Sequence, residues 1–210
     1  MLGVGFAQGH LHVFPSIRNK RWLAVGVISW LAVVLAGVWF MNADSFAPGV
    51  AGHAAAVWPA DATLARNESG HTLVVALHPE CPCSRATLEE LGKIMARAGG
   101  RLRAQVWCVQ YAEIADKAEQ SALWEQAKRI PGIELRVDHE GREARRFDMR
   151  VSGETRLYGR SGELLFQGGI TPARGHAGDN LGEATILNLI TDRRMAGDVK
   201  TTPVFGCSLW

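Results

Sequence analysis

An apolar run, Thr72-Leu-Val-Val-Ala-Leu77, ends at His78-Pro79-Glu80-Cys81-Pro82-Cys83-Ser84, and a helical pattern begins near Ser84. A short continuous apolar run reads as a buried central strand, so the two cysteines fall at a strand-to-helix turn. The unpaired N–H groups and macrodipole of a helix N-terminus favour an anion there. That placement lowers a thiol pKa and makes a thiolate available to attack sulfur or to bind a metal. The spacing is C-x-C, one residue short of C-x-x-C.

The elements after the turn follow a definite order. Residues 84–97 place Leu88, Leu91 and Met95 on one helical face, closed by Gly99-Gly100. Residues 103–109, Arg-Ala-Gln-Val-Trp-Cys-Val, suit a pleated strand. A helix around 116–130 groups Leu123, Ala127 and Ile130, and Pro131-Gly132 stops it. A short strand at 133–137 and a turn at His139-Glu140-Gly141 follow. Residues 155–158 and 163–167 flank Gly159-Arg-Ser-Gly162 as a hairpin with a four-residue loop. The stretch 182–194 is expected to be helical, with Ala184, Leu187 and Ile190 on one side. The expected fold is α/β, a three-layer thioredoxin-like arrangement with a central mixed sheet flanked by helices.

At 210 residues the chain suits one domain plus an extension. Trp22 to Met41 carries no charge, and as a helix it would span about 30 Å, enough for a hydrocarbon core. Arg18, Lys20 and Arg21 precede it, so the positive-inside rule keeps 1–21 in the cytoplasm and exports the rest. The expected organisation is a cytoplasmic segment 1–21, a transmembrane anchor 22–41 in the lipid of the cytoplasmic membrane, a linker 42–69, and a domain 70–210 in the periplasm or extracytoplasmic space. A cleaved signal peptide is the competing reading, but the run is long for an h-region and no A-x-A-like site follows closely. Residues 42–69 are rich in Ala, Gly and Pro and read as a tether with room for a short first element, with His53 solvated within it. The net charge of +2, with no basic run interleaved with aromatics, offers no footprint for nucleic acid.

The strand–cysteine–helix segment and the later hairpin resemble the thioredoxin-like superfamily over roughly residues 70–195, particularly its membrane-tethered extracytoplasmic members. HPECPCS, the late GGITPARGHAGDN and the terminal TTPVFGCSLW resemble, more narrowly, the bacterial group labelled RedB. The superfamily implies a cis-proline facing the cysteines just before the hairpin. Here Gly153-Glu154-Thr155 occupies that region, with Thr155 nearest the slot and no proline in it.

Four cysteines are present. Cys108, inside the expected strand, reads as a buried small hydrophobe. Cys81 takes the nucleophile position if Ser84 is counted as the fourth residue of a C-x-x-S. A frame that matches Pro82-Cys83 to the usual Pro-Cys displaces Cys81 by one. A Cys81–Cys83 bridge would close a strained ring across a proline, and strain raises the reduction potential. Glu80 opposes thiolate formation and offsets part of the dipole. The apolar tail Thr201-Thr-Pro-Val-Phe-Gly-Cys-Ser-Leu-Trp210 should pack onto the body and can bring Cys207 to the C-x-C, as a static disulfide, a redox partner or a free thiol.

These residues point to thiol–disulfide exchange with a protein partner, with Cys81 attacking, Cys83 or Cys207 resolving, and no cofactor beyond the thiols. His78, Pro82, Thr155, Arg174 and His176 are expected to support the site. The alternative is a Cu(I) carrier or metallocentre assembly protein using His78, Cys81, Cys83 and Cys207, because soft thiolates suit Cu(I). A structural domain with locked disulfides is a third class. The loop 168–180 is either a helix-entry turn capped by Asp179 or Asn180 or the wall of a cleft presenting Arg174 and His176. No G-x-x-x-x-G-K-[ST] or G-x-S-x-G occurs, so phosphate-loop and hydrolase readings have no support.

Overall fold

A computed structural model of the chain describes residues 20–111, 118–191 and 198–210. Its contacts divide into two units, Met1–Asn42 and Ala43–Trp210. The described part of the first, residues 20–42, lies in the helix α1 (Lys20–Ala43), whose apolar window has a mean hydropathy of 2.3. It is long and apolar enough to cross a membrane, and a signal sequence meets the same criterion.

The second unit is built on a six-stranded sheet in the order β3-β2-β1-β4-β5-β6. The central strand β1 (His71–Leu77) lies parallel to β2 (Leu102–Gln110) and antiparallel to β4 (Thr155–Tyr158). On one side β2 pairs in parallel with β3 (Ile133–His139). On the other, β4 forms the expected hairpin with β5 (Leu164–Gly168), which carries the two-residue β6 (Lys200–Thr201) in parallel at the edge.

Alternation along β1 sorts the core into two clusters. Leu73, Val75 and Leu77 face α2 (Pro82–Ala98), α3 (Ala122–Lys128) and α5 (Leu181–Thr191). Val74 and Ala76 face Trp107, Tyr158, Phe147 and Ala144, the last on α4 (Arg142–Arg146). Period-two alternation in a sheet covered on both sides gives this result. With helices on one face and α4 plus residues 54–64 on the other, the fold is the three-layer, thioredoxin-like α/β arrangement.

The expected elements are present with shifted bounds. The helix expected at 84–97 begins two residues earlier, at Pro82, whose missing N–H costs nothing at the first helical position. Gly99, in the left-handed region with φ 57°, ends it as expected. The described helix α3 starts at Ala122, and the start expected near 116 lies outside the described residues, as do 192–194 of the last helix. On α5 the buried side is Ile186, Leu187, Leu189 and Ile190, while Ala184 faces solvent instead.

Residues 43–69 differ most from expectation. Instead of a free tether, they wrap the body. The N–H groups of Gly52, His53 and Ala54 donate to the side chains of Glu154, Asp148 and Gln167. Further along, the Trp58 N–H donates to the Gly162 carbonyl at 2.7 Å. Leu64 is buried in the second core cluster, and the Trp58 ring meets Phe147 and Tyr158 edge-on at about 5 Å. His53 keeps an exposed ring while its backbone is pinned.

Candidate thiol site

The turn between β1 and α2 is closed by its own backbone. The Cys81 N–H donates to the His78 carbonyl at 3.2 Å, and the Ser84 N–H donates to the Cys81 carbonyl at 3.0 Å. Cys81 is the residue preceding the first helical turn, extended at φ −88° and ψ 124°, with Pro82 and Cys83 inside that turn. Ser84 locks the arrangement: its hydroxyl donates to the His78 carbonyl at 2.7 Å and accepts from the His78 N–H at 3.1 Å. The Ser84 hydroxyl also meets the Ser152 hydroxyl at 2.7 Å, tying the turn to the loop before β4. Both serines hold the backbone that presents the cysteines.

The tail supplies the third thiol. The Ser152 N–H donates to the Cys207 carbonyl, and the Leu209 N–H to the Arg150 carbonyl, each at 2.8 Å. Arg174 donates from Nη1 to the Gly206 carbonyl at 2.8 Å and from Nε to the Ala47 carbonyl at 3.1 Å. Gly206 lies so close to the loop that a Cβ there would fall 1.9 Å from the Ser152 carbonyl oxygen. Leu209 and Val204 are buried on either side, so the tail is fastened before and after Cys207.

The Sγ atoms of Cys81, Cys83 and Cys207 consequently lie within 4.8 Å of one another, and Cys81 Sγ is 3.0 Å from Cys207 Sγ. A disulfide needs about 2.05 Å, so this is a set of three free thiols. Cys81 and Cys83 are sheltered, at 4% and 5% exposure, whereas Cys207 is exposed.

The three thiols divide one negative charge unequally. Cys81 is lowered from the ordinary 9.0 to about 4, chiefly because the Cys83 thiol donates to it. Burial works against this, while the Cys207 thiol and the backbone N–H groups of Cys207 and Cys83 add to it. Cys83 is raised, first because it keeps its proton for Cys81 and then by burial, with the Gly175 N–H working the other way. Cys207 is raised for the same first reason, and the Arg174 guanidinium partly offsets it. The result is one thiolate, at Cys81, held between two thiol donors. Cys108 lies apart in the first core cluster, where burial alone raises it to about 12.

The structure sorts the expected supporting residues. Pro82 is exposed at the start of α2, with the Gly175 backbone close above it. Arg174 acts one residue away, clamping the Gly206 carbonyl beside Cys207. The exposed His176 ring pairs its Nδ1 with the Arg174 carbonyl at 2.6 Å, and His78 uses Nδ1 to accept from the Glu80 N–H at 3.2 Å. His78 is therefore not part of the sulfur cluster among the described residues. Asn180, of the two capping candidates, accepts from the Glu183 N–H and caps α5. The loop 168–180 is thus both a helix entry and a wall of the site.

Thr155 is displaced from its expected place. It is buried in β4, bonded to the Gly153 carbonyl and paired with Val75 rather than with the turn. Ser152 and Gly153 are the residues that meet the turn. Gly153 has φ 87°, and a Cβ on it would fall 2.6 Å from Thr87 Oγ1. No cis peptide occurs among the described residues.

Sequence reasoning missed Glu154, which is fully buried, ion-paired with Arg156, and accepts from the N–H groups of Gly52, Arg150 and Val151. It fixes the backbone just before Ser152. The charged and polar stretch around it, Asp148 to Arg156, carries no local signal of burial.

No protein-family model and no curated protein matches the sequence. Among solved structures, the chain is similar to an uncharacterized conserved protein from Geobacillus kaustophilus, with TM-score 0.55 and 17% identity over 78% of this chain and 92% of that one. It is also similar to a hypothetical protein from Sinorhizobium meliloti, with TM-score 0.54 and 20% identity over 79% and 94% of the two chains. A weaker likeness, TM-score 0.40 and 16% identity over 59% and 84%, is to the exposed lipoprotein thioredoxin of Streptococcus pneumoniae. Likeness at this identity concerns architecture alone.

Proposed function

We propose that this protein carries out extracytoplasmic thiol–disulfide exchange with a protein partner, anchored in the cytoplasmic membrane through residues 22–41. The observation that supports it most is the 3.0 Å approach of Cys207 Sγ to Cys81 Sγ, with Cys83 in the same cluster. Cys81 supplies the thiolate and Cys207, 3.0 Å away, is the partner for an internal disulfide. Closing Cys81–Cys207 releases Cys83 to hold its proton, and it avoids the strained ring of a Cys81–Cys83 bridge. A thiolate stabilised by two donors favours the reduced state, which makes the couple oxidising. The three segments whose sequences resemble RedB are those that meet at the sulfurs, which supports a shared chemistry.

The test uses the full chain in nanodiscs, oxidised and then given a peptide dithiol. The peptide should leave as a disulfide, and Cys81→Ser should abolish that turnover. Unchanged turnover in the variant would refute the assignment.

Cu(I) transfer is the second reading, supported by three sulfurs gathered within 4.8 Å. Soft thiolate ligands suit Cu(I), and three of them would complete a three-coordinate site. Binding would have to strip the protons that Cys83 and Cys207 hold, so affinity should rise with pH. The reduced chain should then retain one Cu(I) against a strong chelator at pH 8 and release it at pH 5. Failure to retain copper at pH 8 eliminates this reading.

A further inference from the structure

The exchange reading leaves open which sulfur meets the partner, and the burial pattern answers differently from the charge pattern. Cys81 carries the thiolate but is 4% exposed, with Cys207 Sγ beside it; Cys207 is the one exposed thiol of the three. A mobile tail could swing away and uncover Cys81. Here it is pinned on both sides of Cys207 by the Arg174 clamp on Gly206, the Ser152 N–H on the Cys207 carbonyl, and the Leu209–Arg150 bond. Leu209 is 1% exposed, and the Tyr111 hydroxyl donates to its carbonyl at 2.7 Å. The Trp210 ring beyond it lies 4.2 Å under the Arg145 guanidinium.

We propose that Cys207, fixed over Cys81 by the tail, is the sulfur that exchanges with the partner polypeptide, and that Cys81 is its internal partner and leaving group. This rests on the exchange reading given above. In the oxidised state, with a Cys81–Cys207 disulfide, a thiolate of a polypeptide dithiol attacks Cys207 Sγ. The new polypeptide–Cys207 bond forms as the Cys81–Cys207 bond breaks, and the electron pair leaves on Cys81. Cys81 is the better leaving sulfur because its thiolate is the stabilised one. The polypeptide's second thiolate then attacks its own sulfur in the mixed disulfide, and Cys207 departs and takes up a proton. Two electrons have moved from the polypeptide dithiol to the Cys81/Cys207 pair. A polypeptide disulfide running the same steps backwards restores the oxidised pair.

The attack preference is read by oxidising the full wild-type chain in nanodiscs, adding a limiting peptide with a single cysteine, quenching in acid at early times and mapping the adduct by mass spectrometry. Peptide on Cys207 should exceed peptide on Cys81 by about tenfold or more, since which sulfur is attacked depends on access. Cys83→Ser, which leaves only the Cys81–Cys207 pair at the site, should give the same distribution. Adducts mainly on Cys81 or Cys83 would overturn the proposal. If the wild type oxidises a peptide dithiol and yet carries the adduct on Cys81, only this proposal fails. If it oxidises no dithiol at all, the exchange reading itself fails.

Discussion

Two sheltered thiols in this molecule behave in opposite ways. Cys108, in the middle of β2, is fully buried, and Cys81, at the turn after β1, is 4% exposed. Shelter alone would raise both, and it does raise Cys108 to about 12. Cys81 falls to about 4, because the thiols of Cys83 and Cys207 and nearby N–H groups point at it. The Cys81 proton is governed by donors gathered from two distant parts of the chain, which outweigh the opposing effect of burial.

The sharpest break of this comparison is alkylation at pH 6. In the reduced, folded chain the Cys81/Cys108 ratio of iodoacetamide labelling rates should be on the order of 10³ or more, since the thiolate is the reacting form. In denaturant the two should converge. A folded-state ratio near one would mean that Cys81 holds its proton.

Removing the donors should narrow the gap stepwise. A hydrogen bond to a charged group is worth about 1.5–3 kcal/mol, or about one to two pH units, so Cys83→Ala should slow Cys81 labelling at pH 5 by about two- to fifteenfold. Cys207→Ala should have a smaller effect on the pH midpoint, because Cys83 is the leading donor. The midpoint of the pH–rate curve separates this from simple changes in access, which alter the plateau and leave the midpoint in place. Equal midpoints in all three proteins would refute the donor account.

The two thiols also differ in how well the sequence exposed them. Cys108 was legible as core because its neighbours Trp107 and Val109 alternate on a strand, a local signal. The strand–turn–helix around Cys81 was legible for the same reason. Its donors were not, because proximity of residue 207 to residue 81 is a property of the whole fold; the uncharged tail indicated only that it would pack. The wrapping of 43–69 escaped notice on similar grounds. Its Ala, Gly and Pro content resembles a linker, and its anchors, Glu154, Asp148 and Gln167, lie about a hundred residues away. Helix α4 is five residues long, too short for a period, and is capped from outside by Asp138, which accepts from the N–H groups of Glu143 and Ala144. β6 spans two residues and depends wholly on β5. The slot assigned to Thr155 was misplaced by two residues because counting back from a hairpin cannot sense the left-handed turn at Gly153.

Protonation of Cys81 should also appear in stability. Its folded value lies below its ordinary 9.0, so the stabilisation is complete above pH 9 and is lost as pH falls toward 4. Cys83 and Cys207 are raised, so their contributions hold below the ordinary value and are lost above it. Between pH 5 and 8 Cys81 dominates. The melting temperature of the reduced wild type minus that of Cys81→Ser should therefore grow from pH 5 to pH 8. A difference that stays flat over this range would place the proton on Cys81 throughout.

Cys108 supplies the smallest effect and the control on all the others. It lies on β2 in the first core cluster, pairs across the sheet with Leu77 on one side and Val137 on the other, and burial is the one influence that shifts its thiol. Replacing it with alanine removes one buried atom and leaves a small void, which should cost about 1 kcal/mol. In a domain of this size that lowers the melting temperature by about 2–4 °C. Because nothing near Cys108 donates to Cys81, peptide dithiol oxidation by Cys108→Ala should stay within about twofold of wild type, as expected for a substitution that affects only packing. The pH midpoint for labelling Cys81 should not move. A shift in that midpoint would mean that the core thiol and the turn thiol are coupled through β1, and that the contrast between them is one of degree.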